Sequence, residues 1–396
     1  LVAGSHAQKT KTGIEVLKSE NFKQLEGLRI GLVTNPTGVD NNLVSDVDLL
    51  HRAANVKLVA LFGPEHGVRG SSHAGDAVGN DSDPATGLPV FSLYGKNHTP
   101  SDGMLKGIDA LVYDIQDVGC RSFTYISTLY NVMKAAAKNK IKVVVLDRPN
   151  PLGGEKIEGN YTEDDCVSFV SQFKIPYVYG MTPGEVALYL NGEGLIPGGK
   201  CDLQVIKMKG WKRRMTYEDT GLHWVLSSPH IPEASTSPFY SVTGIIGELY
   251  NISIGVGYTL PFKLIGAEWI KAPEFADRMN SLKLPGVTFR PIYYTPYYSV
   301  GKGKELQGVQ IYFTDYRKAN LCDVQWYALQ ELYKLYPDHD PLAEATNRHD
   351  MFDKVCGSHE LRKLFMKRHM WEDAKAYWDK DVESFRKIAK KYYLYK

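Results

Sequence analysis

The sequence predicts an α/β protein: a Rossmann-like parallel sheet with helices on both faces, followed by a smaller C-terminal α/β (α+β) domain. Three observations predict it. Four short apolar runs, at 28–33, 56–61, 108–113 and 143–146, have the length and bulk of fully buried strands. Stretches with helical spacing separate them, and strand–helix alternation points to parallel pairing with right-handed crossovers. Each run ends in polar, turn-forming residues: Thr34-Asn35-Pro36, Gly63-Pro64-Glu65-His66-Gly67, Asp114-Ile115-Gln116-Asp117 and Asp147-Arg148-Pro149-Asn150. In an open parallel sheet those ends share one rim, and ligands bind at that rim.

Taken in order, residues 13–27 read as a helix and its exit, with Ile14, Leu17, Phe22 and Leu25 on the apolar side. A second helix is expected over 43–54. Residues 67–89 show neither helical nor strand period and are rich in Gly, Ser and Asp, so a loop is expected to cover the rim. A short strand at 90–94 and a short helix or turn at 101–107 lead to the third run. Ser122 or Thr124 is placed to cap a helix running to Lys138. Thr182-Pro183-Gly184-Glu185 has the pattern of a capping box with Pro at the first helical position; that helix should stop at Gly192. A further strand is expected over 201–208.

An irregular segment from Ser228 to about Tyr240 divides the chain. The expected organisation is a signal-peptide remnant at 1–7, a Rossmann-like catalytic domain at 8–239 and a smaller domain closing the cleft at 240–396. The second part is expected to hold helices at 273–282, 323–336 and 371–392 and strands near 288–294 and 309–313. Residues 1–7 end in Ser5-His6-Ala7, with small residues where a signal peptidase reads, so a secreted or periplasmic location is expected.

Composition sets bounds. The chain has 396 residues with a net charge of +2, which gives no electrostatic reason for nucleic acid or an acidic membrane as partner. No stretch is apolar for long enough to span a bilayer. Tyrosine outnumbers phenylalanine, 25 to 14, which suits sugar rings as well as cores. The five cysteines show no metal-ligand spacing and no disulfide framework, so no zinc site is expected, while a single disulfide stays open. The first strand–helix turn lacks G-x-G-x-x-G, and Walker-A and G-x-S-x-G stretches are missing, so no cofactor and no serine nucleophile are expected.

The rim carries the chemistry. Paired carboxylates suit glycoside hydrolysis, in which one protonates the leaving oxygen and the other activates water or attacks the sugar. The expected catalytic set is Glu65, His66, Asp114 and Asp117. Asn35, Arg69, Arg121, Asp147, Arg148 and Tyr179 are expected to bind substrate, with Glu248 and Asn251 reaching the cleft from the second domain. Two other readings stay open: a metal-dependent hydrolase using His66, Asp114, Asp117 and Asp147 as ligands, and a protein that binds glycans without turnover.

These residues carry a resemblance. Gly63-Pro64-Glu65-His66-Gly67-Val68-Arg69-Gly70, Asp114-Ile115-Gln116-Asp117-Val118-Gly119 with Arg121, and Asp147-Arg148-Pro149-Asn150-Pro151 resemble the exo-β-N-acetylmuramidase family of bacterial cell-wall recycling, long catalogued as a domain of unknown function. Gly180-Met181-Thr182 with Gly184-Glu185, Ser228-Pro229, Gly255, Gly257 and Pro261-Phe262 extend it from about residue 13 onward. The resemblance implies an active site between two domains, with Glu65 as its catalytic group. It also implies release of terminal N-acetylmuramic acid from non-reducing ends of peptidoglycan fragments. An arginine in the cleft would hold the lactyl carboxylate of that sugar bidentately. The chain departs from the family pattern at Tyr179, where His is usual. It departs again at Ile254, Val256 and Leu260, where charged residues are usual. These departures bear on sugar specificity rather than on fold.

Overall fold

The computed structural model describes residues 9–70 and 81–396. The leader assigned to 1–7 lies outside the described residues, as does the 71–80 part of the expected covering loop.

The first half contributes seven strands: β1 Arg29–Thr34, β2 Lys57–Gly63, β3 Asp81–Ser82, β4 Pro89–Ser92, β5 Ala110–Asp114, β6 Lys142–Leu146 and β7 Leu203–Ile206. They form one sheet in the order β3-β4-β2-β1-β5-β6-β7. β3 runs antiparallel to β4, and every other neighbouring pair is parallel. The parallel strands are therefore laid outward from β1 in both directions, and the winding reverses between β1 and β5. That switch point opens a crevice at the strands' C-terminal ends.

Side chains alternate between two buried faces. Ile30, Leu32, Ala110, Val112, Val144 and Leu146 pack against Ile14 and Leu17 of α1 (Gly13–Ser19) and Val47 and Leu50 of α2 (Asp46–Arg52). Val33, Leu111, Tyr113, Val143 and Val145 pack against Ile126, Leu129 and Met133 of α3 (Tyr125–Asn139) and Val186 and Leu190 of α4 (Pro183–Gly192). Burial on both sides is why these strands read as unbroken apolar runs. The Ser45 hydroxyl caps α2 by accepting from Val47 N at 3.2 Å. Neither Ser122 nor Thr124 caps α3: Thr124 occupies the N-cap position in the left-handed region, φ 72°, with no side-chain cap bond. Residues 101–107 form turns rather than a helix.

The second half begins with α5 (Ser237–Gly247), so the boundary placed after residue 239 falls inside a helix. Strands β8 (Leu264–Ala267), β9 (Val287–Tyr294) and β10 (Leu306–Phe313) form an antiparallel sheet in the order β8-β10-β9. Helices α6 (Ala272–Ser281), α7 (Asp323–Leu335), α8 (Pro341–Glu344), α9 (His349–Cys356), α10 (His359–Met366), α11 (Trp371–Trp378) and α12 (Val382–Ala389) complete it. The single helix expected over 371–392 is broken between α11 and α12, where the Asp381 carboxylate accepts from Tyr161 N at 2.9 Å.

The halves share their cores. Val118, Cys120, Leu152 and Tyr177 from the first half cluster with Val242, Ile246, Trp326 and Trp378 from the second. Phe385 and Ala389 of α12 enter the core beneath the large sheet. The chain then lies on the first half: Leu394 N donates to Glu185 at 2.8 Å, Arg213 N donates to Lys396 O at 3.0 Å, and the Tyr395 hydroxyl donates to Asp147 at 2.5 Å. All five cysteines are buried free thiols.

Candidate active site

Parallel pairing delivers Asn35, Glu65, Asp114 and Asp147 to one edge, because each follows or ends a strand of the same sheet at its C-terminal end. The structure then sorts them by depth.

Glu65 is half-buried and faces open space. Pro64 to Gly67 form a turn closed by Gly67 N donating to Pro64 O at 3.0 Å, with His66 at φ 74°. A left-handed conformation in a non-glycine residue costs on the order of 1–3 kcal/mol and is tolerated where the surroundings enforce it. Gly63 lets the chain reverse, since a Cβ there would come within 2.9 Å of Val68 N. Glu65 and His66 line a cavity of about 150 Å³ with Ser122, Phe123, Thr124, Tyr125, Ser228, His230, Tyr240 and Phe262. Glu65 is the one carboxylate among the described residues of that lining. The Tyr94 hydroxyl donates to it; burial first, and then Glu65, raise the Tyr94 pKa. Tyr125 and Tyr240 are also close enough for the Glu65 charge to act on their hydroxyls. Burial lowers the pKa of His230, as does the neighbouring His66, against the pull of the Glu65 charge.

Behind this lining lies a second tier. Asp117 is buried, accepts from the Tyr179 hydroxyl and from Gly119 N at 2.9 Å, and is pushed up to about 7 by burial. Asn35 accepts from Thr37 N at 3.0 Å and lies against the Tyr125 hydroxyl. Deeper still, Asp114 is clamped by Arg148 through two contacts of 2.5 and 2.9 Å. Burial and the Asp114 charge push Asp46 well above the usual carboxylate range, while burial raises Asp114 against the pull of Arg148. Asp147 accepts from Gly184 N and the Thr182 hydroxyl, both at 2.8 Å, and burial pushes it up to about 7. Asp114, Asp147 and Arg148 therefore hold the rim from below and do not line the cavity. The four ligands of the metal-dependent reading do not gather. Among the described residues the only close grouping of such side chains is Asp165, Cys166 and His359, none of which lines the cavity.

Three expected binding residues lie elsewhere. Arg121 is buried and donates to four carbonyls: Asn160 O at 2.8 Å, Ile175 O at 2.7 Å, Val355 O at 3.2 Å and Cys356 O at 2.8 Å. The last two are carbonyls at the C-terminus of α9, which lack intrahelical partners and attract a cation. Gly357 admits the guanidinium, since a Cβ there would meet Arg121 Nη2 at 2.5 Å. Arg69 is held by Asp83 through contacts of 2.8 and 3.0 Å, and that bonding takes Asp83 down to about 2. Asn251 donates to Pro341 O at 2.8 Å.

Glu248 does reach the cleft. It lines an adjoining cavity of about 230 Å³ that shares His230, Tyr240 and Phe262 with the first. Burial raises its pKa, and Arg348, bonded to it at 3.1 Å, opposes that rise. Sequence reasoning missed Tyr94, Tyr125, His230 and Tyr240 as site residues. Only the Ser228-Pro229 pair pointed toward His230; the tyrosines are assembled by tertiary packing and have no local signature.

Residues 30–235 match the family described as exo-beta-N-acetylmuramidase NamZ, N-terminal, and residues 238–395 match its C-terminal counterpart. The chain is 45% identical over 387 residues to the peptidoglycan beta-N-acetylmuramidase NamZ of Bacillus subtilis (strain 168), covering 98% of this chain and 92% of that protein. It also resembles two crystal structures of DUF1343 family proteins from Bacteroides fragilis NCTC 9343. One has 58% identity and a TM-score of 0.94, the other 29% identity and a TM-score of 0.77; each match covers 98% of this chain and 99% of the other. With both halves matched in order, and a relative this similar along nearly the whole length, the chain belongs to the NamZ exo-β-N-acetylmuramidase family.

Proposed function

We propose that the protein is an exo-acting glycoside hydrolase that releases terminal N-acetylmuramic acid from non-reducing ends of peptidoglycan fragments, with Glu65 as general acid/base. The observation that carries this reading is the position of Glu65: just past the C-terminal end of β2, at the edge where the parallel strands end, in a cavity whose described lining holds no other carboxylate. Tyr94 orients it by donating to the carboxylate. Glu65 gives a proton to the departing glycosidic oxygen and recovers one from the incoming water. Asp117 sits behind Tyr125 and Tyr179, where it positions hydroxyls rather than touching the sugar. A location outside the cytoplasmic membrane belongs to the same proposal, because peptidoglycan is there; cell fractionation checks it.

The test is hydrolysis of a chromogenic β-N-acetylmuramide beside the matching β-N-acetylglucosaminide. Wild type should release the chromophore from the muramide alone. Glu65→Gln should lower kcat by about 10²–10⁴-fold, the range for loss of a general acid/base, without moving the melting temperature. Near-normal turnover by the variant would remove Glu65 from this role.

A further inference from the structure

Outside the Glu65 cavity, the turn at 163–166 meets the connection between α9 and α10, and three metal-ligating side chains converge there. One ligand atom each from Asp165, Cys166 and His359 lies within 4.8 Å of the other two. No other set of three such side chains among the described residues comes as close. Its members are separated by nearly half the chain, so no ligand spacing shows in the sequence. The backbone beneath the group is already tied. Glu163 N donates to Gly357 O at 2.8 Å, Cys166 N donates to Glu163 O at 2.9 Å, and the Ser358 hydroxyl donates to the Glu163 carboxylate at 2.7 Å. The His359 backbone N–H faces the Cys166 sulfur. The two segments are thus set against each other before any ion arrives.

The imidazole is aimed from behind. Asp353 accepts two bonds from Arg362, at 2.8 and 2.7 Å, and is bonded to His359 Nδ1 at 2.8 Å. A carboxylate has only lone pairs to offer, so Nδ1 carries the hydrogen, and in the neutral ring the lone pair stays on Nε2. Nε2 is turned to the Asp165 carboxylate at 4.0 Å, beyond hydrogen-bond reach. A carboxylate behind the imidazole is the arrangement that orients histidine in metal sites. The front of the group is open: the Asp165 side chain is 68% exposed and that of His359 32%, with Cys166 buried behind them. Lone pairs of oxygen, nitrogen and sulfur therefore face one gap that solvent reaches.

A tetrahedral zinc ion with one sulfur, one nitrogen and one oxygen ligand sets those atoms about 3.4–3.6 Å apart. The exposed Asp165 carboxylate reaches that spacing by turning about its side-chain bonds, and water takes the fourth position. Thiolate with imidazole suits zinc and not the oxygen-seeking magnesium or calcium. We infer that Asp165, Cys166 and His359 form a zinc site that clips the first half of the chain to the second. Binding sends the thiol hydrogen to solvent as a proton, and no electron moves. The ion acts on stability and not on turnover, since none of the three residues lines the Glu65 cavity.

The test uses the full chain, without an affinity tag and stripped by chelator. Zinc and, separately, magnesium are titrated calorimetrically into wild type, Asp165→Asn, Cys166→Ser and His359→Gln, and melting curves are recorded with and without zinc. Wild type should bind one zinc per chain, ignore magnesium, and melt several degrees higher with zinc. Cys166→Ser and His359→Gln should each weaken zinc binding by about tenfold or more and lose the melting shift. Asp165→Asn should weaken it less, because an amide oxygen still offers a lone pair. Cobalt in place of zinc should give a sulfur-to-cobalt charge-transfer band that Cys166→Ser abolishes. His359→Gln and Asp165→Asn alter part-exposed side chains, so they report even where Cys166→Ser does not fold. Absence of stoichiometric zinc binding by wild type, unchanged affinity in His359→Gln, or a cobalt spectrum without the sulfur band overturns the inference. Turnover should be equal in stripped and zinc-loaded protein at a temperature where both are folded; loss of turnover on stripping overturns the clip, since the ion would then serve the reaction.

Discussion

Arg121 gathers four carbonyls from both halves of the chain, and its consequences are structural. A lysine there keeps the charge but loses the planar fork, leaving buried carbonyls without donors. Arg121→Lys is expected to cost about 3 kcal/mol, read as a lower urea midpoint with KM for substrate unchanged. A raised KM with normal stability would return Arg121 to the binding residues. Asp117 and Asp147 set the response to pH. Burial pushes both up to about 7, so the folded chain holds protons that the unfolded chain releases. Their contribution is complete below the ordinary aspartate value near 3.8 and is lost as pH rises through about 7. Asp83 runs the other way: its contribution is present above 3.8 and lost as pH falls through about 2. The melting temperature should therefore fall by several degrees between pH 5.5 and 8.5, and Asp117→Asn should flatten that fall; an unchanged slope would show that Asp117 does not titrate there. At this scale Glu65 was legible because a strand end and a Gly-Pro turn locate it locally. Arg121 was misread because its partners lie as far away as residue 356, and nothing near it in the sequence signals them.

Among the elements, α4 shows local and distant signals agreeing. Its capping box was legible in Thr182-Pro183-Gly184-Glu185 and is present. Glu185 has further partners that the pattern did not reveal: Arg213 at 2.7 and 2.9 Å and Leu394 N at 2.8 Å. Removing one side of a buried ion pair strands the other, so Arg213→Met is expected to cost about 3–5 kcal/mol, measured by chemical denaturation. A double variant with Glu185→Gln should recover part of that loss. The central strands were legible because burial on both faces leaves an unbroken apolar run. β8 was not: four residues, one of them Gly266, give too little pattern to read. The break between α11 and α12 escaped for another reason. It carries no Gly or Pro, and its cause, the bond from Tyr161 to Asp381, lies 220 residues away in sequence.

For the whole molecule, the boundary placed after residue 239 was read from an irregular segment, and it does not divide the packing. Phe385 and Ala389 fill the core of the large sheet, and Leu394, Tyr395 and Lys396 take up hydrogen-bonding groups of the first half. Residues 9–236 produced alone are expected to bind a hydrophobic dye and to melt without a cooperative transition. A sharp melt for that piece would show that it folds independently.

The way residues 382–396 lie on the first half also fixes an order of events in time. On a ribosome the strands of the large sheet emerge first, but the groups that complete their core and satisfy Asp147 and Glu185 are translated roughly 180–200 residues later. At about 5–20 residues per second that is a wait of some ten seconds or more. During it a largely apolar sheet stands partly uncovered. The nascent chain is then a substrate for holding chaperones, and its first half reaches a closed state only after its second half has been made.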